Sequence, residues 1–141
     1  MAELTIKLGV AALNEVLADA FPSEARVDFV SDVSPGRVRL VRPFDPSMLR
    51  PGGLISGPTL MALADHAAYA LILAHVGAEL MAVTTSLTMH FLRGAKPGDI
   101  HAEARFLSLG RRLAVCDVHL WTETPERLAA QATVTYARAA S

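Results

Sequence analysis

The sequence contains a single cysteine, Cys116, so no disulfide can form within one chain. It also shows no basic segment followed by an apolar one at its start, which is the pattern of a secretory leader. Proteins of oxidising compartments commonly carry paired cysteines. We therefore expect this protein in the reducing cytoplasm.

Charge of either sign is scarce and balanced. Charged residues make up 19% of the chain, and 13 Lys and Arg stand against 14 Asp and Glu, for a formal net charge of -1. A protein that binds a phosphate backbone or an anionic bilayer through bulk electrostatics needs a basic excess. We expect neither nucleic acid nor membrane among its partners.

The chain has no uninterrupted apolar run of the roughly 20 residues that a membrane span requires. Its longest apolar stretch, residues 60–83, is broken by Asp65, His66, His75 and Glu79. A helix that is apolar almost all round, yet interrupted by polar residues, is typical of a helix enclosed by protein. We predict a buried helix here.

Apolar residues are abundant, at 52% of 141 residues. That length is typical of one domain, and no repeat, low-complexity segment or linker divides it. We predict a single domain over residues 1–141. Hydrophobic spacing and turn residues predict, in order, a helix over 4–21 ended by Pro22 and Ser23, a hairpin of strands 26–33 and 37–43, an irregular loop over 43–58, a helix over 57–75 with Gly77 as its stop, and strands over 81–92, 100–109, 113–122 and 128–137.

These elements predict an α+β domain with an antiparallel sheet, one long central helix and an additional N-terminal helix. The short turns suggest that the last four strands form an antiparallel meander. One sheet covers a helix from one side only, so apolar surface is left for a second copy of the chain. We expect a homo-oligomer, either a dimer or a dimer of dimers.

Asp65 is the one residue between Gly57 and Gly77 that is normally charged at neutral pH. An aspartate in the middle of a helix has low helix propensity and loses hydration, so some gain must outweigh the cost. It lies either at a wet edge, satisfied by local donors, or in a pocket where it acts as a base or nucleophile.

The start of the same helix, Ser56-Gly57-Pro58-Thr59, combines a capping serine with a glycine that lets a ligand approach the backbone. Free N–H groups at the positive end of a helix can stabilise a developing oxyanion. Serine before Gly-Pro is also an ordinary way to begin a helix. The motif alone leaves both interpretations open.

Asp65 lies eight residues beyond Gly57, which places the two about 12 Å apart along one helix. A base or nucleophile must lie about 3 Å from the reacting atom. If both residues act on one carbonyl, they must come from different chains. The active site would then lie across a dimer interface.

Four segments resemble a known family, namely residues 49–67, 82–93, 97–99 and 109–114. Their residues and spacing are similar to those of hotdog-fold acyl-CoA thioesterases of the phenylacetic-acid-pathway (PaaI-like) type. The resemblance implies a hotdog fold, in which an antiparallel sheet wraps around the central helix. It also implies hydrolysis of a thioester to a free acid and coenzyme A.

By this resemblance, Asp65 matches the catalytic acid, and Gly57 matches the glycine whose N–H polarises the thioester carbonyl. The family commonly has His-Gly-Gly at the helix start, where this chain has Ser56-Gly57-Pro58. Arg50 stands where relatives often place Asn or Gln to orient substrate or water. We therefore predict that Ser56 and Arg50 contact the substrate.

Weaker candidates for substrate contact surround these residues. Tyr69 lies one helical turn beyond Asp65, so its hydroxyl either touches the site or its ring simply packs in the core. Thr84 and Thr85 fall where relatives line the acyl pocket, although threonine is also a good strand residue. Arg111 and Arg112 suit coenzyme A phosphates or lie exposed at a strand turn.

The resemblance therefore implies an acyl-CoA thioesterase, with no cofactor beyond the coenzyme A of its substrate. Two alternatives stay open: a non-catalytic hotdog module that binds acyl groups or coenzyme A, and an enoyl-thioester hydratase with His66 as a second acid–base group. The five histidines show no metal-ligand spacing, so we expect no metal. Cys116 sits in a strand pattern and is expected to be filler.

Overall fold

The computed structural model of the chain describes residues 3–21 and 28–139. The predicted helix end at Pro22 and Ser23 and the predicted strand start at 26–27 lie outside the described residues. The elements, in chain order, are α1 Val10–Ala20, β1 Phe29–Ser34, β2 Arg37–Arg42, a 3₁₀ turn Pro46–Met48, β3 Leu49–Arg50, β4 Leu54–Ile55, α2 Gly57–Val76, β5 Val83–Phe91, β6 Ile100–Leu109, β7 Leu113–Trp121 and β8 Ala130–Ala137.

Helix α2 begins and ends at the predicted signals. The Ser56 hydroxyl accepts a hydrogen bond from the Thr59 N–H (3.3 Å), which caps the first turn. At the other end, Gly77 has a φ of 91°, and its N–H donates to the Leu73 carbonyl (3.0 Å). A side chain is strained at this φ, so glycine is the natural stop.

Most of α2 is buried, as predicted. By length and composition it could cross a membrane, but 72% of its most apolar window is buried inside the protein. The helix packs against β2, β5, β6, β7 and β8. Its apolar composition therefore serves the core of this domain.

The N-terminal helix is shorter than predicted, because α1 begins at Val10. Before it, the N–H groups of Lys7 and Leu8 donate to the Ala74 carbonyl of α2 (2.7 and 3.1 Å). The Asn14 side chain donates to the Val30 carbonyl (2.9 Å) and accepts from the Val30 N–H (2.8 Å). These contacts fix α1 against β1 and α2.

The six long strands form one antiparallel sheet in the order β1-β2-β6-β7-β8-β5. Strands β6, β7 and β8 form the expected meander, but the prediction that β5 precedes them in it was wrong. Strand β5 pairs with β8, and residues 92–99 carry the chain across to β6 beside β2. The crossing segment is anchored midway, since the Ala95 carbonyl accepts a hydrogen bond from the Ile55 N–H (2.9 Å).

The segment 43–58 is more regular than predicted. Asp45 caps a 3₁₀ turn by accepting from the Ser47 N–H (2.8 Å), and β3 pairs with β4. Gly52 and Gly53, with φ of 99° and 74°, make the tight turn between these two strands. Proline and glycine excluded long elements here, but they are compatible with short ones.

An ion-pair cluster lies on β2 and β6. The Glu103 carboxylate accepts hydrogen bonds from Arg37 (3.2 Å), Arg39 (2.8 Å) and Arg105 (3.0 Å). Burial opposes ionisation of this carboxyl, but the three arginines outweigh it and lower the pKa of Glu103 to about 2. We call these four residues the Glu103 cluster.

Candidate active site

Asp65 is half-buried in the middle of α2, and two hydroxyl groups hold its side chain. The Thr84 hydroxyl donates to Asp65 Oδ1 (2.6 Å), and the Tyr136 hydroxyl donates to the same oxygen (2.9 Å). Tyr136 also lies 3.2 Å from the Asp65 backbone carbonyl. Helix α2 and strands β5 and β8 thus meet at one carboxylate.

Thr84 reaches Asp65 because β5 contains a β-bulge. Thr84 pairs with Tyr136 and Ser86 pairs with Thr135, which leaves Thr85 as the extra residue. The Thr85 hydroxyl donates to the Thr135 carbonyl (3.2 Å). Strict alternation would place Thr85 on the face of Leu87, so the bulge is what brings Thr84 to the helix instead.

Tyr136 is the functional candidate that the sequence analysis missed. It occupies the last inward position of β8 and is 4% exposed. Burial and the neighbouring Asp65 carboxylate raise the pKa of Tyr136 far above its ordinary value. Its hydroxyl therefore stays protonated and donates. The available signal was a polar tip at the end of an apolar alternation, Ala130, Ala132 and Val134.

A pocket of about 570 Å³ opens beside Asp65. Tyr69 contributes to its wall, but the Tyr69 hydroxyl donates to the Leu80 carbonyl (2.8 Å) and not to the carboxylate. The Tyr69 ring packs against those of Phe21 and Tyr136, with centroids 5.6 and 5.7 Å away. The lining residues are mostly apolar or aromatic: Phe21, Ala62, Asp65, His66, Tyr69, Leu80, Ala82, Val83, Thr84 and Tyr136.

His66 also lines this pocket, although it neighbours Asp65 in a helix and points in a different direction. Its Nδ1 lies 3.0 Å from Asp28 Oδ2, and Arg42 binds the same carboxylate in two places. Burial opposes ionisation of Asp28, but the hydrogen bonds from His66 and Arg42 prevail and lower its pKa. The ionised Asp28 can only accept, so His66 Nδ1 is the donor.

The helix start retains one unused N–H. Pro58 has none, the Thr59 N–H is bound by the Ser56 hydroxyl, and the Leu60 N–H donates to the Ser56 carbonyl (3.3 Å). In the described part of the chain, nothing accepts from the Gly57 N–H. Gly57 also lies under the ring of Phe91, where an added Cβ would come within 3.2 Å of the Phe91 Cζ.

The structure does not bring every predicted substrate contact to Asp65. Ser56 and Gly57 lie at the start of α2, and Asp65 lies two helical turns further along. Arg50 is exposed in the short strand β3 and is not among the residues of the pocket. Asp65 and Gly57 therefore lie apart within one chain.

Arg111 and Arg112 are exposed at the turn between β6 and β7. They line a groove of about 950 Å³ together with Glu79, Leu113 and residues 137–139. Arg138 of this groove donates to Glu79 (2.7 Å) and to the Gly110 carbonyl (2.8 Å), so its charge is compensated. Arg111 and Arg112 have no ion pair with any described residue.

Cys116 as a nucleophile and the histidines as metal ligands were also considered in the sequence analysis. Cys116 is buried, and burial raises the pKa of its thiol to about 12, so it is not a nucleophile near neutral pH. Within residues 3–21 and 28–139, no three histidine, cysteine or acidic side chains converge to hold a metal ion.

The family model of the thioesterase superfamily matches residues 52–129, which include Asp65, Gly57 and Thr84. The chain belongs to the thioesterase superfamily. A thioesterase-family protein from Silicibacter sp. TM1040 is 36% identical, covers 97% of this chain and 96% of its own, and superposes with a TM-score of 0.88. No curated protein sequence matches the chain.

More distant thioesterases share the fold. Zebrafish thioesterase superfamily member 2 has 21% identity and a TM-score of 0.81, and the alignment covers 94% of this chain and 100% of that one. A phenylacetic acid degradation-related member from Ralstonia eutropha JMP134 has 24% identity and a TM-score of 0.74, and the alignment covers 88% of this chain and 99% of that one. These likenesses confirm the hotdog fold. This thioesterase is accordingly expected to cleave a thioester.

Proposed function

We propose that this thioesterase hydrolyses acyl-CoA esters, with an active site completed by a second copy of the chain. The observation that carries the proposal is the Asp65 carboxylate. It is held by two hydroxyls in the wall of a pocket of about 570 Å³ whose other residues are mostly apolar. In this site Asp65 acts as a nucleophile on the thioester carbonyl or as a base toward water.

The oxyanion that forms on the carbonyl needs a donor, and Gly57 supplies the free N–H of the α2 start. The positive end of the helix dipole adds to its effect. Eight residues of helix, about 12 Å, separate this N–H from Asp65 in the same chain. The Gly57 that serves a given Asp65 therefore belongs to the partner.

Strand β5 provides the surface for such a partner. It is an edge strand, paired only with β8 in the described sheet, and it exposes Val83 and Phe91 to 56% and 53%. An unpaired edge of nine residues readily takes up another strand. At one end of β5, Thr84 contacts Asp65. At the other end, Phe91 packs over Gly57.

Two β5 edges that pair antiparallel about a twofold axis near Leu87 would exchange these ends. The Thr84 end of one chain then lies beside the Phe91 end of the other, which brings Asp65 toward the partner's helix start. Such a symmetric interface also covers the exposed apolar side chains of the edge. A homodimer, or a dimer of dimers built from it, follows.

The groove with Arg111 and Arg112 is the proposed site for the coenzyme A phosphates. Two arginines that form no ion pair with a described residue offer the bidentate donors that phosphates accept. The groove and the pocket have neighbouring lining residues, because Glu79 and Ala137 of the groove are adjacent in sequence to Leu80 and Tyr136 of the pocket. A thioester at Asp65 can thus extend its coenzyme A toward the arginines.

Asp65→Asn tests the proposal, since asparagine keeps the size of the side chain but removes its charge. With a panel of acyl-CoA esters and detection of free thiol, we expect turnover by the native chain. The variant should lose at least about 10²-fold in kcat and keep the native oligomer. Binding of acyl-CoA without thiol release by the native chain would instead identify a non-catalytic module. Full activity of the variant would refute the role of Asp65.

A further inference from the structure

We propose that Tyr136 is a positioning residue for Asp65, and that Oδ2 of Asp65 is the oxygen that reacts. The inference deepens the proposed function and rests on it. It starts from an asymmetry in the hydrogen bonds of the carboxylate. Both hydroxyl donors, from Thr84 and Tyr136, reach Oδ1. No described residue donates to Oδ2.

The two oxygens of a carboxylate are equivalent until hydrogen bonds distinguish them. An oxygen that accepts two hydroxyl hydrogens has its lone pairs engaged and is the weaker nucleophile or base. Oδ2 keeps its lone pairs for a carbonyl carbon or a water. The donors on Oδ1 also stop the side chain from rotating, so the free oxygen keeps one direction.

Tyr136 is the more rigid of the two donors. The residue is 4% exposed and lies on the inner face of β8, and its ring contacts that of Tyr69 at a centroid distance of 5.7 Å. Its hydroxyl is fixed between Asp65 Oδ1 and the Asp65 backbone carbonyl. Thr84 is exposed, and its place depends on the bulge at Thr85. Orientation of the carboxylate therefore falls mainly to Tyr136.

A structural tyrosine and a positioning tyrosine predict different behaviour. A hydroxyl that only fills the core affects stability and nothing else. A hydroxyl that donates to the carboxylate keeps Oδ2 directed at the substrate. Loss of this donor therefore lowers kcat, while KM changes little because no substrate contact is lost.

The test is Tyr136→Phe, which keeps the ring and removes the hydroxyl. We expect kcat for an acyl-CoA ester to fall about 10- to 100-fold, because a hydrogen bond to a charged group is lost. KM should change less than about threefold, since no substrate contact is removed.

Tyr69→Phe is the matched control. It removes a hydroxyl from the same pocket, but one bound to the Leu80 carbonyl and not to Asp65, so it should lower kcat much less than Tyr136→Phe does. Thr84→Ser and Thr84→Val form a second pair. Serine keeps a donor and should retain most of kcat, whereas valine should lower it.

The outcomes separate this inference from the proposed function. If Asp65→Asn abolishes turnover while a folded Tyr136→Phe keeps native kcat, the positioning role is wrong and the catalytic aspartate stands. If Tyr69→Phe lowers kcat as far as Tyr136→Phe does, the effect belongs to the pocket in general and the inference also fails. Full activity of Asp65→Asn would remove the basis of both.

Discussion

Gly57→Pro is the change that tests the oxyanion donor. Of the first donors of α2, Pro58 has no N–H, and Thr59 and Leu60 are bound to Ser56. Gly57 is thus the remaining donor in the described structure, and no neighbour can replace it. Proline removes this N–H, while its fixed φ suits the first position of a helix.

Loss of one oxyanion donor typically lowers kcat by about 10²–10³, or roughly 2.7–4 kcal/mol in the barrier. We expect this loss for Gly57→Pro in the free-thiol assay. Gly57→Ala is the control, because alanine keeps the N–H and adds one methyl group. That methyl would lie 3.2 Å from the Phe91 Cζ, and the ring can shift to accept it.

The comparison of the two variants decides the matter. We expect the alanine variant to retain much more activity than the proline variant, with both chains folded by circular dichroism. Equal and severe losses would mean that the space under Phe91, and not the N–H, is what Gly57 provides. Native kcat in the proline variant would refute the oxyanion argument.

Two further predictions concern charge. Alanine at both Arg111 and Arg112 should raise KM for acyl-CoA esters but not for acyl-N-acetylcysteamine thioesters, which lack the phosphates; an equal rise for both substrates would contradict the phosphate site. The folded pKa of Glu103, about 2, lies below its ordinary 4.5. Its stabilisation is therefore complete above pH 4.5 and is lost as the pH falls toward 2. The free energy of unfolding in urea should therefore fall less steeply between pH 4.5 and pH 2 for Glu103→Gln than for the native chain. An equally steep fall for both proteins would contradict this prediction.

The helices, the strands and the acidic residue in the middle of α2 could be predicted because each leaves a signal in the local sequence. The helix α2 is marked by Ser56 and Gly77 at its ends, and Asp65 stands out as a charge in an apolar helix. Short-range spacing does not report which strands pair over a distance. The crossing from β5 to β6 was missed for that reason, since a short connection favoured neighbouring strands.

The residues that hold Asp65 and His66 in place were harder to predict from the sequence. One extra residue, Thr85, reverses which threonine faces α2, and an alternating pattern cannot show a bulge in advance. Tyr136 lies 71 residues from Asp65 and looks like the end of an apolar strand. His66 contacts Asp28, which Arg42 also binds, and these three residues come from different parts of the chain. Only the tertiary structure brings such residues together.

The sharing of the active site between two chains is the central claim, and a mixed dimer tests it most directly. One chain carries Asp65→Asn and the other Gly57→Pro, with different affinity tags so that the heterodimer can be purified. Each homodimer should be nearly inactive. The heterodimer should contain one intact site, which pairs the native Asp65 of one chain with the native Gly57 of the other, and should recover about half of the native activity per dimer. A heterodimer as inactive as its two parents would contradict the account.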